Sequence, residues 1–176
     1  KLKKGKAYGK DNLCSEHYLY SSSRLSPLLA LLFNSCISHG YLPNKLLDNV
    51  IVPILKDNKG DITDKDNYRP VALTCIMSKV FEMILLDKYK YCLETSHNQF
   101  GFKSGNSTDT CIFSLKQTIE YYQCLSSPLY ICYLDASKAL DRLNHWTLFT
   151  KLINRQMPVL IVRILYVWYS QQLFYV

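Results

Sequence analysis

No stretch of the chain approaches the roughly twenty consecutive apolar residues that span a bilayer. The most apolar late segment, Met157 to Tyr169, is interrupted by Pro158 and Arg163, so no membrane anchor is expected in these residues. The opening Lys-Leu-Lys-Lys-Gly-Lys leads into no apolar segment, and no secretory signal is expected either. Closely paired cysteines are missing. Cysteines stand at 14, 36, 75, 92, 111, 124 and 132, never closer than eight residues apart, which excludes zinc-ligand spacings and redox pairs. Reduced core thiols in an intracellular protein, nuclear or cytoplasmic, are the simplest reading. The four histidines, His17, His39, His97 and His145, form no ligand pair at helical spacing. No internal repeat and no low-complexity segment occurs, so neither a solenoid nor a disordered tail is in view.

What is present fits a folded domain. The 176 residues are 48% hydrophobic, enough for one ordinary core or two small subdomains that share one. Aromatic residues make up 13% of the chain, fourteen of them tyrosine, and the net charge is +7. Positive charge attracts a polyanion and aromatic rings offer stacking surfaces for bases, although a merely basic globular protein shares this composition.

The alternation of apolar and polar residues predicts a mixed α/β (α+β) chain. Residues 1–12 hold five lysines without periodicity and read as a basic, mobile arm. Residues 25–39 carry an apolar face of Leu25, Leu28, Leu29, Leu32, Phe33 and Cys36, and Gly40 closes the helix they predict. Strands are expected at 48–56 and 68–74. Each contains a proline, Pro53 and Pro70, which places them at sheet edges or bulges. Between them, Asp57–Asn67 form a polar hairpin tip, with Lys56 and Arg69 at its stems as a possible clamp for a triphosphate, or simply as two solvated charges. Further helices are predicted at 75–93, with Thr74 as cap, and at 107–125, buried through Cys111, Ile112, Leu115, Ile119 and Tyr122. The last two are expected at 139–154 and 158–171. The loop 97–106, with two glycines, Phe100, Phe102 and Lys103, has the parts of a strand-tracking nucleic-acid surface.

The stretch Leu129–Asp141, Leu-Tyr-Ile-Cys-Tyr-Leu-Asp-Ala-Ser-Lys-Ala-Leu-Asp, stands at the centre of the functional reading. Six apolar or aromatic residues after Ser126, Ser127 and Pro128 predict a strand buried on both faces. The strand delivers Asp135 where it leaves the core, a common position for a metal-bound catalytic carboxylate. A turn or helix-cap aspartate is the plain alternative. A phosphatase-like reading with Asp135 as nucleophile wants a second aspartate two residues on, where Ser137 stands.

Five stretches taken together resemble the reverse transcriptase domain of non-LTR retrotransposons. In order they are Val-Pro-Ile-Leu-Lys (52–56), Asn-Tyr-Arg-Pro-Val-Ala-Leu-Thr (67–74), Ser-Lys-Val-Phe-Glu (78–82), Gln-Phe-Gly-Phe-Lys (99–103) and Tyr-Leu-Asp-Ala-Ser-Lys-Ala-Leu-Asp-Arg-Leu-Asn-His (133–145). The resemblance implies the fingers and partial palm of a right-hand polymerase with an incomplete sheet. Residues 1–24 would be a basic N-terminal arm, 25–125 fingers and 126–176 partial palm. It also implies two Mg²⁺ ions in the intact domain, an RNA template, a DNA primer and deoxynucleoside triphosphates. Position by position, Asp135 is similar to the catalytic metal-bridging aspartate, and the carbonyl of Ala136 to a backbone metal ligand. Lys56, Arg69, Lys138 and Ala139 are similar to triphosphate contacts, and Gln99, Gly101, Phe102 and Lys103 to a template and primer loop.

The sequence departs from the family pattern in two informative places. Position 140, typically an aromatic residue that blocks a ribose 2′-hydroxyl, is Leu140. The chain contains no aromatic-Ala-Asp-Asp stretch and no adjacent Asp-Asp pair, so the second palm carboxylates, the rest of the palm and the thumb are expected elsewhere. By itself the chain is expected not to polymerise, and a catalytically dead nucleic-acid-binding remnant is the alternative.

Overall fold

A computed structural model describes residues 2–136 and 139–176. In chain order the elements are α1 (Ser15–Leu19), α2 (Leu25–His39), α3 (Asn44–Leu47), β1 (Asp48–Leu55), β2 (Tyr68–Thr74), α4 (Ile76–Lys88), α5 (Thr108–Cys124), α6 (His145–Asn154), α7 (Val159–Gln171) and β3 (Leu173–Tyr175). Packing divides them into two units. One holds the residues up to Leu93 together with His145–Val176, and the other is Glu94–Asn144. The protein is therefore mixed α/β with a small sheet.

In the first unit, the 3.6-residue periodicity of 25–39 becomes α2 over that same range, with Phe33 and Cys36 buried. Gly40 ends it in the left-handed region at φ 61°, where its N–H reaches back to the carbonyls of Cys36 and Ile37. Glycine takes this conformation without the steric cost a Cβ brings. Pro43 then leads into the short α3, which the sequence reading did not anticipate.

The sheet order is β2-β1-β3. β1 runs antiparallel to β2, with Pro53 facing Pro70, and parallel to β3 over Asp48–Val50 only. This explains how a proline can sit in the middle strand. Among the described residues β1 has no neighbour on its β3 side beyond Val50, so Pro53 falls where its missing N–H breaks no ladder there. Asn49, 1% exposed, donates from Nδ2 to the carbonyls of Leu47 at 2.8 Å and Leu173 at 3.3 Å. A buried amide thereby ties the third strand to the first two.

Helix α4 starts one residue later than predicted. Its cap is Cys75, whose Sγ accepts from the Ser78 N–H, rather than Thr74. Ser78 Oγ in turn donates to the Leu46 carbonyl at 2.7 Å, which satisfies a buried hydroxyl. The core of this unit is built around Phe81, 0% exposed. Its ring stacks between Phe33, at 4.7 Å, and Trp168, at 5.5 Å between centroids, so α2, α4 and α7 meet at one aromatic column.

The lysine-rich start, expected to be a mobile arm, is tied down. The Gly5 N–H donates to Glu16 Oε1 at 2.7 Å. Gly9 passes so close to Thr74 and Cys75 that a Cβ would lie 2.8 Å from the Cys75 nitrogen. Lys10 pairs with Asp48 at 3.4 Å and sits over the Tyr175 ring. Periodicity cannot reveal such contacts, because each joins residues far apart in sequence.

In the second unit, α5 forms where predicted, capped by Ser107, whose side chain accepts from the Thr110 N–H. Its expected burial is not found. No residue of α5 is buried, and Ile112 is 46% exposed. The reason is that a capped helix forms from local interactions, whereas covering its apolar stripe requires a partner layer.

The strand predicted over the run from Leu129 to Leu134 is likewise corrected. Residues 128–136 form neither helix nor strand, and Tyr130, Tyr133 and Leu134 are 91%, 79% and 94% exposed. A strand exists through ladder hydrogen bonds to a neighbour, and among the described residues none pairs with this run. The helix predicted from 139 begins only at His145, after a turn in which the Leu143 N–H donates to the Leu140 carbonyl at 3.3 Å.

Candidate functional site

Ile54 faces Arg69 across the β1–β2 ladder, and just beyond the ladder the Lys56 N–H donates to the Asn67 carbonyl at 2.7 Å. Side chains alternate between faces along a strand, so Lys56, Ile54 and Arg69 project from the same face of the hairpin. The two predicted clamp cations are thus brought to one side, both exposed. Lys56 Nζ donates to the Asp66 carbonyl at 2.6 Å, which folds its ammonium back over the hairpin tip. Val52 and Val71, paired with each other and each 37% exposed, continue this face as an apolar floor.

The tip itself is a chain of local turns. Asp57, Asp61 and Asp64 each accept from the N–H two residues on, in Lys59, Thr63 and Asp66. The Thr63 hydroxyl and N–H hold the Asp61 carboxyl below its ordinary value. These aspartates serve the shape of the loop, as Asx turns do.

At the other end of the sheet, Lys10 lies 3.4 Å from the Tyr175 ring centre. The Tyr175 hydroxyl donates to Asp48 Oδ1 at 3.3 Å. Tyr175 first, and then Asp48, raise the Lys10 ammonium above its ordinary value. Sequence reasoning missed both Lys10 and Asn49 as organisers of the sheet. The one available signal for Asn49 is an amide at the head of an otherwise apolar strand.

In the second unit, the predicted template loop adopts a defined shape. Gln99 Nε2 donates to the Gly101 carbonyl at 3.1 Å. Lys103 Nζ donates to the carbonyls of Thr95, at 3.4 Å, and Ser96, at 3.1 Å. Phe102 has φ 58° and is 104% exposed. Gly101 has open space where a Cβ would stand.

Asp135 and Ala136 are exposed, at the end of the unpaired run. Ala139 lies in the following turn, as does Leu140, 82% exposed. Lys138, predicted to contact a triphosphate, lies outside the described residues. Asp135 with a neighbouring carbonyl offers hard oxygen donors of the kind divalent cations take. They do not complete a two-ion centre, since among the described residues no three His, Cys, Asp or Glu side chains gather to hold a metal.

A cavity of about 360 Å³ opens in the first unit, lined by Leu85, Leu152, Ile161 and Trp168 among others, with Glu82 and Gln172 as polar members. None of the predicted site residues lines it. No helix among the described residues is long and apolar enough to cross a membrane.

No protein-family model matches the chain. Among curated proteins it is similar to the RNA-directed DNA polymerase from mobile element jockey of Drosophila funebris, with 30% identity over 175 residues, 96% of this chain and 19% of that protein. The corresponding protein of Drosophila melanogaster is 29% identical over 152 residues, 82% of this chain and 16% of its own length. The Pol polyprotein of the type-1 retrotransposable element R2 of Nasonia vitripennis is 27% identical over 130 residues, covering 73% of this chain and 12% of that protein. The chain thus spans less than a fifth of the length of these relatives.

Proposed function

The chain is a relative of the RNA-directed DNA polymerases of non-LTR retrotransposons, and we propose that it forms the fingers and the first part of the palm of such a polymerase. In the whole protein this region would help extend a DNA primer on an RNA template with deoxynucleoside triphosphates. The observation that carries the reading is the hairpin. Two cations thirteen positions apart, within stretches that resemble the family's motifs, stand on one face of it, as a clamp on a polyphosphate requires.

In this reading Lys56 and Arg69 neutralise the triphosphate and fix its direction, together with the backbone N–H groups at Lys138 and Ala139. Gln99, Gly101, Phe102 and Lys103 form the loop along template and primer. Asp135 and the Ala136 carbonyl are the part of a Mg²⁺ centre that this chain contributes. When bound, such ions polarise phosphoryl oxygens and offset developing charge. The contribution of the cations is positioning and charge neutralisation, which dominate phosphoryl transfer. With a single carboxylate at this centre, the chain by itself does not polymerise.

Primer extension tests the reading, using the domain continued through an aromatic-Ala-Asp-Asp segment and carrying Asp135→Asn. Synthesis is expected to be abolished, and unimpaired synthesis would sink the assignment of Asp135. The exposure of the Asp135 run favours one other reading, a remnant that only binds nucleic acid. Salt-sensitive binding that depends on neither Mg²⁺ nor Asp135 would mark that case.

A further inference from the structure

We propose that Phe102 is a stacking platform for a single unpaired base, and that Gln99 and Lys103 are positioning residues that hold the platform out rather than contacts to the strand. The inference rests on the nucleic-acid reading above and assigns a division of labour within one of its loops.

Among the described residues, four that are not glycine have positive φ: Asn12, Phe102, Ser126 and Gln156. Asparagine tolerates this region through local hydrogen bonding, but for a bulky aromatic residue it is an outlier that the surroundings must impose. An aromatic side chain free to choose would also bury its ring, since transferring it from water is favourable. Phe102 does the opposite and is 104% exposed. Both costs fall on the same residue, and both are maintained by the loop.

The restraints that maintain them are polar and local. The Gln99 amide closes onto the Gly101 carbonyl, directly before Phe102. The Lys103 ammonium, directly after it, bridges the carbonyls of Thr95 and Ser96. The Gln99 N–H also donates to the Ser96 carbonyl at 3.1 Å, and the Asn106 N–H to that of Lys103 at 3.3 Å. The backbone on both sides of Phe102 is thus restrained. Gly101 has nothing within 4 Å of where a Cβ would stand, and the ring of Phe102 is itself uncovered at 104% exposure. An outward, unobstructed ring on a hydrogen-bonded loop backbone suits the π-face of an unpaired base, and every base has such a face. A duplex hides its faces in the stack and does not offer them.

The test is binding of the full chain to a fluorescein-labelled single-stranded oligouridylate and to its duplex with oligoadenylate, followed by anisotropy across a salt series. Phe102→Ala is expected to weaken single-strand binding about fivefold or more and to leave duplex binding and the salt slope unchanged. Phe102→Leu should behave like alanine, because it keeps bulk but not a π-face, and Phe102→Trp should restore binding. Lys103→Met should weaken the single strand with an unchanged slope. A slope reduced by about one would instead make Lys103 a phosphate contact and overturn its positioning role. Unfolding midpoints of the variants serve as the control, and the exposure of Phe102 predicts no change. If the wild-type chain binds the single strand but Phe102→Ala binds it equally well, the stacking assignment is overturned alone. If the wild-type chain binds neither probe, the proposed function falls with it.

Discussion

Arg163, within α7, donates from Nη2 to the His39 carbonyl at 3.3 Å, and its side chain occupies the space beside Gly40. A Cβ on Gly40 would stand 2.4 Å from Arg163 Nε. The C-terminus of α2 is therefore closed by a cation from a helix more than a hundred residues away, where the helix dipole favours positive charge.

Gly40→Ala is expected to destabilise the protein by about 1–2 kcal/mol from the left-handed backbone alone, and further by displacing Arg163. Denaturant unfolding in a double-mutant cycle with Arg163→Ala checks this. The alanine at 40 should cost less once the arginine is gone, and equal costs in both backgrounds would refute the contact.

Asn49→Ala removes the donor that serves Leu47 and Leu173. A buried carbonyl left without its partner costs about 1–3 kcal/mol, and β3 pairs with β1 over only three residues. Hydrogen exchange at Leu173–Tyr175 should accelerate more than at β2, and uniform acceleration over the sheet would contradict the role assigned to Asn49.

The carboxyl of Glu16 lies below its ordinary value, chiefly because the Gly5 N–H hydrogen-bonds it. A lowered folded-state value means that its contribution is complete above the unfolded value near 4.5 and is lost as pH falls through the lower folded value. Proteolysis of the first twelve residues should therefore quicken below about pH 4.5. In Glu16→Gln that acid dependence should be missing.

Leu140, 82% exposed in a turn, is proposed to stand where the resemblance expects an aromatic ring, and it is smaller and less rigid than such a ring. In a domain continued through the second carboxylate motif, Leu140→Phe is expected to lower ribonucleotide incorporation relative to deoxynucleotide. Identical discrimination by the two proteins, measured as a ratio of kcat/KM values, would refute the sugar-gate assignment.

Much of this was legible in the chain because it is local. The bounds of α2 and its Gly40 stop are consequences of periodicity and backbone freedom and appear where the sequence puts them, but of the face predicted from Leu25 to Cys36 only Phe33 and Cys36 are buried, and Leu28 is 61% exposed. The prolines at 53 and 70 pointed to edge strands, which β2 is, whereas β1 is the middle strand and carries Pro53 beyond the residues it pairs with β3. The ordered motifs pointed to the kinship that the similarity to mobile-element polymerases bears out. Lys56 and Arg69 could be placed at the stems of one hairpin by counting alone.

Other features depend on what a residue meets in space. The apolar run 129–134 and the α5 stripe each have the composition of buried elements, yet burial and strand pairing need a partner that composition does not name. The tie of Asn49 to Leu173, the packing of Gly9 against Cys75 and the closure of α2 by Arg163 join residues distant in sequence. Lys103 read as a cation for a strand, and only the fold shows its ammonium on two carbonyls, with Phe102 forced outward beside it. Helices, caps and turns follow from neighbours along the chain, whereas sheet closure, burial and the direction in which a side chain is held follow from neighbours across it.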